Sequence, residues 1–175
     1  MNIEKLIKFV FENVYCSIYY ELGPKNYVDD YYHYIPSKSG MLLNVIKDIQ
    51  KTTKKLNTKS FIDIGCGNPL IPKIFDILGV NVSKGLEFDP RYLKLDKKNY
   101  LIQGDLLTYD FKDYDILYSY NPIKNPKLMD QGLLNIMKTM KKDAILYYVQ
   151  ACLMNKEILK EFTKIDYEIL KYIKR

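Results

Sequence analysis

Apolar positions along the 175-residue chain recur at two different periods. Ile3, Leu6, Ile7, Val10, Phe11, Val14 and Ile18 share one helical face, which predicts a helix over 3–22, ended by Gly23-Pro24. Met41, Leu42, Val45, Ile46 and Ile49 predict a second helix, with Ser37 or Ser39 as its cap. A polar connector rich in lysine and threonine runs over 51–60. Phe61, Ile62 and Ile64 then form a short apolar run of the kind that buried parallel strands carry. After it the period lengthens again: Leu70, Ile71, Ile74, Phe75 and Leu78 are spaced for a helix, with Gly79 as its stop. Further strands are predicted over 84–89, 100–103, 114–120 and 144–149. Leu128, Met129, Leu133, Ile136, Met137 and Met140 mark a helix between the last two. A short helix near 155–162 and a single strand near 165–173 close the chain. Strands alternating with helices predict an α/β fold: a mostly parallel sheet of six or seven strands between helices.

Composition narrows this picture. The 47% hydrophobic content excludes a disordered chain. No uncharged apolar run approaches the roughly 18 residues that a membrane helix needs. Glu4, Glu12 and Asn13 interrupt the first apolar pattern, so it does not read as a signal peptide. Cys16, Cys66 and Cys152 are odd in number and far apart, which argues against a disulfide framework or a zinc site and fits a cytoplasmic protein. The net charge of +6 is carried almost wholly by lysine, since only Arg91 and Arg175 are arginine. Abundant lysine, asparagine, isoleucine and tyrosine with little alanine reads mainly as an AT-rich coding bias. The alternative is an anionic partner such as nucleic acid.

The candidate chemistry centres on residues 60–70, Ser-Phe-Ile-Asp-Ile-Gly-Cys-Gly-Asn-Pro-Leu. Two readings of this strand–glycine turn–helix compete. A nicotinamide or flavin fingerprint, Gly-x-Gly-x-x-Gly, would use Gly65 and Gly67, but Leu70 stands at the third glycine. The other reading is Asp-x-Gly-x-Gly, filled by Asp63, Gly65 and Gly67.

On that second pattern the chain resembles the class I S-adenosylmethionine (SAM)-dependent methyltransferases. It departs from them at Pro69, where a third glycine is common. The resemblance implies a three-layer Rossmann-like sandwich over 41–175, preceded by a helix and a tyrosine-rich lid segment over 1–40. It implies SAM as the cofactor, with Asp63 on its ammonium group and backbone N–H groups of Gly65, Cys66 and Gly67 near its carboxylate. Glu87 matches the acidic residue that takes the ribose hydroxyls, and Phe88 is either a wall for adenine or a core residue. Asp105 and Leu106 match the pair that reads the adenine edge. Tyr34-Ile-Pro-Ser37 is similar to a segment that closes over the methionine end of SAM. Asp29, Asp30, Tyr31, Tyr32 and Tyr34 are lid candidates beside His33, the single histidine, which reads as structural. Asn121-Pro122-Ile123 is similar in part to the Asn-Pro-Pro-aromatic motif of amino-methylating enzymes, which makes Asn121 and Tyr120 the candidate catalytic residues. No metal is implied. The implied reaction moves a methyl group to an unidentified acceptor, whether protein, nucleic acid or small molecule. The alternatives are a SAM-binding regulator or subunit of a complex with a protein partner, and an NAD(P)-dependent oxidoreductase.

Overall fold

Along β1 (Ser60–Ile64) side chains alternate between two cores. Phe61 joins a cluster with α1 (Ser39–Thr52) and α2 (Leu70–Ile77), where its ring stacks on Phe75 at 3.6 Å. Ile62 and Ile64 join the opposite cluster, with Met129, Leu133 and Ile136 of the helix Pro126–Thr139. A period of two along the strand thus separates the two helical layers that cover the sheet. The computed structural model describes residues 38–94, 96–149 and 155–175. The predicted first helix, the tyrosine-rich lid candidates with His33, Ser37, Cys16 and Cys152 lie outside them.

The remaining elements are β2 (Val82–Glu87), α3 (Pro90–Leu93), β3 (Leu101–Gln103), β4 (Ile116–Ser119), α4 (Pro126–Thr139), β5 (Ile145–Val149), α5 (Lys156–Leu159), β6 (Thr163–Asp166) and β7 (Ile169–Ile173). The described strands form one seven-stranded sheet in the order β3-β2-β1-β4-β5-β7-β6. The first five are parallel, while β7 runs antiparallel to both β5 and β6. The sheet edges are β3, three residues long, and β6, whose register shifts between Lys164 and Asp166.

Two local expectations change. The single closing strand is a hairpin, because the chain turns at Tyr167-Glu168, where the Asp166 carboxylate accepts from Tyr167 N at 2.7 Å. Ser39 does not cap α1, because it is already helical: Lys38 holds the cap position without a side-chain bond, and the Ser37 alternative lies outside the described residues. Where a cap does form, it is local and polar. Asp89 accepts from Arg91 N before Pro90–Leu93, and Asn125 accepts from Lys127 N before α4.

One polar cluster ties α1 to β5 and β7. Asp48 Oδ2 accepts from Tyr147 Oη and from Lys171 Nζ, both at 2.7 Å. Burial pushes the Asp48 carboxyl up, but the bonds from Lys171 and Tyr147 outweigh it and hold it below its ordinary value. This stabilisation is therefore present above the unfolded carboxylate pKa and lost as pH falls through the lowered folded one. Asp48→Ala is expected to cost about 1–2 kcal/mol of stability near neutral pH, measured by urea unfolding, with the deficit shrinking in acid. A deficit that does not change with pH would show that packing, not the carboxylate, joins these elements.

Candidate functional site

The strand order reverses between β1 and β4, since β2 lies on one side of β1 and β4 on the other. In open α/β sheets the crevice at such a switch point, beyond the carboxyl ends of the strands, is where ligands bind. Asp63 and the glycine turn leave β1 at this point, and Ser119, Tyr120 and Asn121 leave β4.

Gly65 and Gly67 both hold left-handed backbones, φ +69° and +62°. At Gly65 a Cβ would lie 2.3 Å from Pro122 Cβ, so the bare glycine lets the β4 loop close onto the turn. The turn is also pinned to β2. Leu86 O accepts from the N–H groups of Gly65 and Cys66, at 2.9 and 3.1 Å. Glu87 Oε2 accepts from Gly67 N at 2.7 Å, and Glu87 Oε1 accepts from Asp89 N at 2.9 Å. The N–H groups expected to meet a ligand carboxylate are thus engaged within the protein. Their geometry follows from the short turn, which brings its donors against the end of the neighbouring strand.

Three buried polar atoms around this crevice have no hydrogen-bond partner among the described residues: Asp63 Oδ2, Asn68 Nδ2 and Ser119 Oγ. Leaving such atoms unmatched costs about 1–3 kcal/mol each, and unmatched buried polar atoms at a switch point mark a candidate ligand site. Asp63 lies on the Phe61 face of the sheet, and Ser119, the register partner of Ile64, on the other. Asp63 is 2% exposed. Burial, and then the nearby charge of Glu87, pushes its carboxyl well above the ordinary value. Glu87 is raised too, by burial, against the opposing pull of backbone donors at Asp89, Gly67 and Phe88. Asn68 uses its oxygen locally, accepting from Leu70 N at 2.9 Å, which leaves the amide NH₂ as a buried donor. Burial likewise pushes up the Cys66 thiol, which sits where a Cβ on Gly85 would meet it at 2.5 Å.

The other sequence-selected residues distribute as follows. Gly104 N donates to Glu87 O at 3.0 Å, so the end of β3 sits beside the acidic end of β2. Asp105 Oδ1 accepts from Leu107 N at 2.9 Å, a local turn bond that fixes this carboxylate. The Leu106 side chain is buried and fills the space that Gly132 leaves open on α4, 2.7 Å from a Cβ there. Phe88 is 47% exposed, which excludes the core reading. Tyr120 is half-buried, and its hydroxyl is raised by burial and by Glu168 in the β6–β7 turn. Asn121 is buried with φ +40°, and its Oδ1 accepts from Tyr148 Oη at 2.6 Å.

Sequence reasoning did not single out Asn68, Ser119 or Tyr148. Asn68 had a usable signal, being the polar residue between the glycine pair and Pro69. Ser119 and Tyr148 read as ordinary strand residues, and only the pairing of β4 with β5 places them at the site. Among the described residues no group of side chains is arranged to hold a metal ion, and no helix is long and apolar enough to cross a membrane.

No family model matches the chain, and no curated protein matches it by sequence. Solved structures do match it in fold. An RNA methyltransferase from Salinibacter ruber in complex with S-adenosylhomocysteine is similar with a TM-score of 0.58 and 14% identity, over 80% of this chain and 94% of that one. A Thermoplasma acidophilum protein is similar over 98% of this chain and 96% of its own, with a TM-score of 0.59 and 14% identity. The T. thermophilus 16S rRNA N2 G1207 methyltransferase, in complex with SAM and guanosine, aligns with 83% of this chain and 45% of its own, at a TM-score of 0.59 and 14% identity.

Proposed function

We propose, from the class I SAM-dependent methyltransferase fold that this chain has, that it binds SAM at the β1–β4 crevice and transfers its methyl group to an acceptor. The observation that carries this reading is the buried, unpartnered Asp63 carboxyl beside the glycine turn. The unmatched atoms suit the zwitterionic end of SAM. Asp63 Oδ2 is an acceptor for the ammonium group, and Asn68 Nδ2 is a donor for the carboxylate. Glu87 keeps lone-pair capacity beyond its backbone bonds, and the bonds from Gly67 and Asp89 hold it rigid as an acceptor for ribose hydroxyls. Phe88, exposed next to it, offers a flat face for adenine.

SAM supplies, when bound, a methyl carbon on a positive sulfur: an acceptor lone pair forms the new bond to carbon while the S–C bond breaks and its electron pair stays on sulfur. The protein's share is alignment, proximity and exclusion of water. Binding a dinucleotide is the weaker reading, because a pyrophosphate needs N–H groups that Leu86 O and Glu87 already hold.

Calorimetric titration with SAM and S-adenosylhomocysteine tests the proposal. Wild type is expected to bind both at micromolar concentration. Glu87→Ala removes a ribose acceptor and the anchor of Gly67 together, so affinity is expected to fall about 100-fold in a protein that remains folded. A folded wild type that binds neither compound would refute the proposal.

A further inference from the structure

Asn121 lies two residues beyond β4, and the next residue, Pro122, closes against Gly65 of the glycine turn. It is 4% exposed and holds a left-handed backbone that non-glycine residues adopt at a cost. Tyr148, fully buried on β5, donates its hydroxyl to Asn121 Oδ1 at 2.6 Å. That length suits O–H···O and is short for N–H···O, so the oxygen is the end of the amide turned to Tyr148. The NH₂ end is directed away from it. Ser119, the register partner of Tyr148 in the β4–β5 ladder, adds a buried hydroxyl with no partner among the described residues. The Asn121 amide therefore presents its donor end here, beside a Ser119 hydroxyl that can donate or accept. The amide oxygen, which an amino substrate would seek, is already turned into the protein.

Resting on the methyltransferase reading above, we infer that the methyl acceptor offers Asn121 an oxygen lone pair, of carboxylate or carbonyl type, rather than an amino group. Tyr148 is the positioning residue that sets this preference. The partial likeness of Asn121-Pro122-Ile123 to an amino-methylation motif points the other way, and the Tyr148 bond is what separates the two. A carboxylate acceptor balances simply. One oxygen forms the bond to the methyl carbon, the S–C electron pair stays on sulfur, and no proton has to leave. The second oxygen accepts from Asn121 Nδ2.

The test uses the full chain saturated with S-adenosylhomocysteine, with saturation confirmed by calorimetry. Benzoate and aniline are similar in size and differ in the group they offer, so they serve as probes in saturation-transfer NMR. Benzoate is expected to give the stronger signal, about tenfold, with wild type. In Asn121→Asp, where a carboxylate oxygen replaces the NH₂, benzoate binding is expected to fall about tenfold. In Tyr148→Phe the amide is free to turn, so the preference for benzoate should collapse toward parity while S-adenosylhomocysteine affinity is unchanged. A merely structural role for Tyr148 would lower both probes together. Aniline binding as well as benzoate to wild type, no signal from either, or benzoate retained by Asn121→Asp would overturn the inference. Failure to bind S-adenosylhomocysteine would instead overturn the methyltransferase reading, and this inference with it.

Discussion

Asp63→Asn is expected to yield a protein that is more stable than wild type without ligand and that no longer binds SAM. Both effects have one cause. The Asp63 carboxyl is buried, lacks a partner on Oδ2, and lies near the charge of Glu87. Burial and that neighbour raise its pKa above the ordinary 3.8. A carboxyl whose folded pKa is raised binds its proton more tightly when folded. Its stability is thus intact below the unfolded pKa and is lost as pH rises through the folded one. Asparagine keeps the shape and removes this titration. The ligand-free variant should be more stable at neutral pH by about 1 kcal/mol, and the gap between the two proteins should close toward pH 4. With SAM the order reverses, because the ammonium group finds an amide in place of a carboxylate. Affinity should fall about 100-fold or more. Urea unfolding across pH, with and without SAM, reads both effects. Calorimetry in buffers of different ionisation heat should also show wild type releasing protons as SAM binds. A variant less stable than wild type, or one that still binds SAM tightly, would remove Asp63 from the site.

Gly65→Ala is expected to be the most damaging single-methyl change in the described part of the chain. The added Cβ would stand 2.3 Å from Pro122 Cβ and 2.9 Å from Pro122 Cγ, on a backbone with φ +69°. Proline cannot swing aside as a flexible side chain would. A left-handed alanine costs about 1 kcal/mol or more, and overpacking adds about 1–3 kcal/mol. A loss of about 3 kcal/mol in urea unfolding is expected, together with loss of SAM binding, because the β4 loop is pushed off the turn. By contrast, Gly79→Ala meets no atom within 4 Å and carries only the cost of its φ of +87°. It is the control: it should lose stability and keep its ligand. If Gly65→Ala bound SAM like Gly79→Ala, the close approach of Pro122 would have no part in the site.

Much of this architecture was legible because its signals are local. The run Phe61-Ile62-Asp63-Ile64, the glycine pair and the helical spacing after Leu70 lie within one short stretch, and the observed β1 and α2 follow it closely. The acidic end of β2 and the Gly104-Asp105 step were legible for the same reason. What escaped was set by pairing across the sheet. The closing hairpin turns at Tyr167-Glu168, with no glycine or proline to mark it. Tyr148 reaches Asn121 only because β5 lies beside β4, and no spacing along the chain announces that. The N–H groups of the glycine turn looked available in sequence, and they are held by Leu86 and Glu87 because β2 pairs with β1.

The two ends of the sheet bear on how one copy of this chain meets another. An unpaired strand edge is a template for a further strand, and proteins that keep such edges harmless make them short, charged or irregular. β3 offers three residues, and β6 breaks its register between Lys164 and Asp166, with lysine among its four residues. Neither edge can seat a long extended segment in register. Growth of the sheet from molecule to molecule, the usual first step toward fibrous aggregates in β-containing proteins, is thereby disfavoured at both edges formed by the described residues. Among the described residues, helical faces and loops are thus favoured over strand edges for any contact between copies.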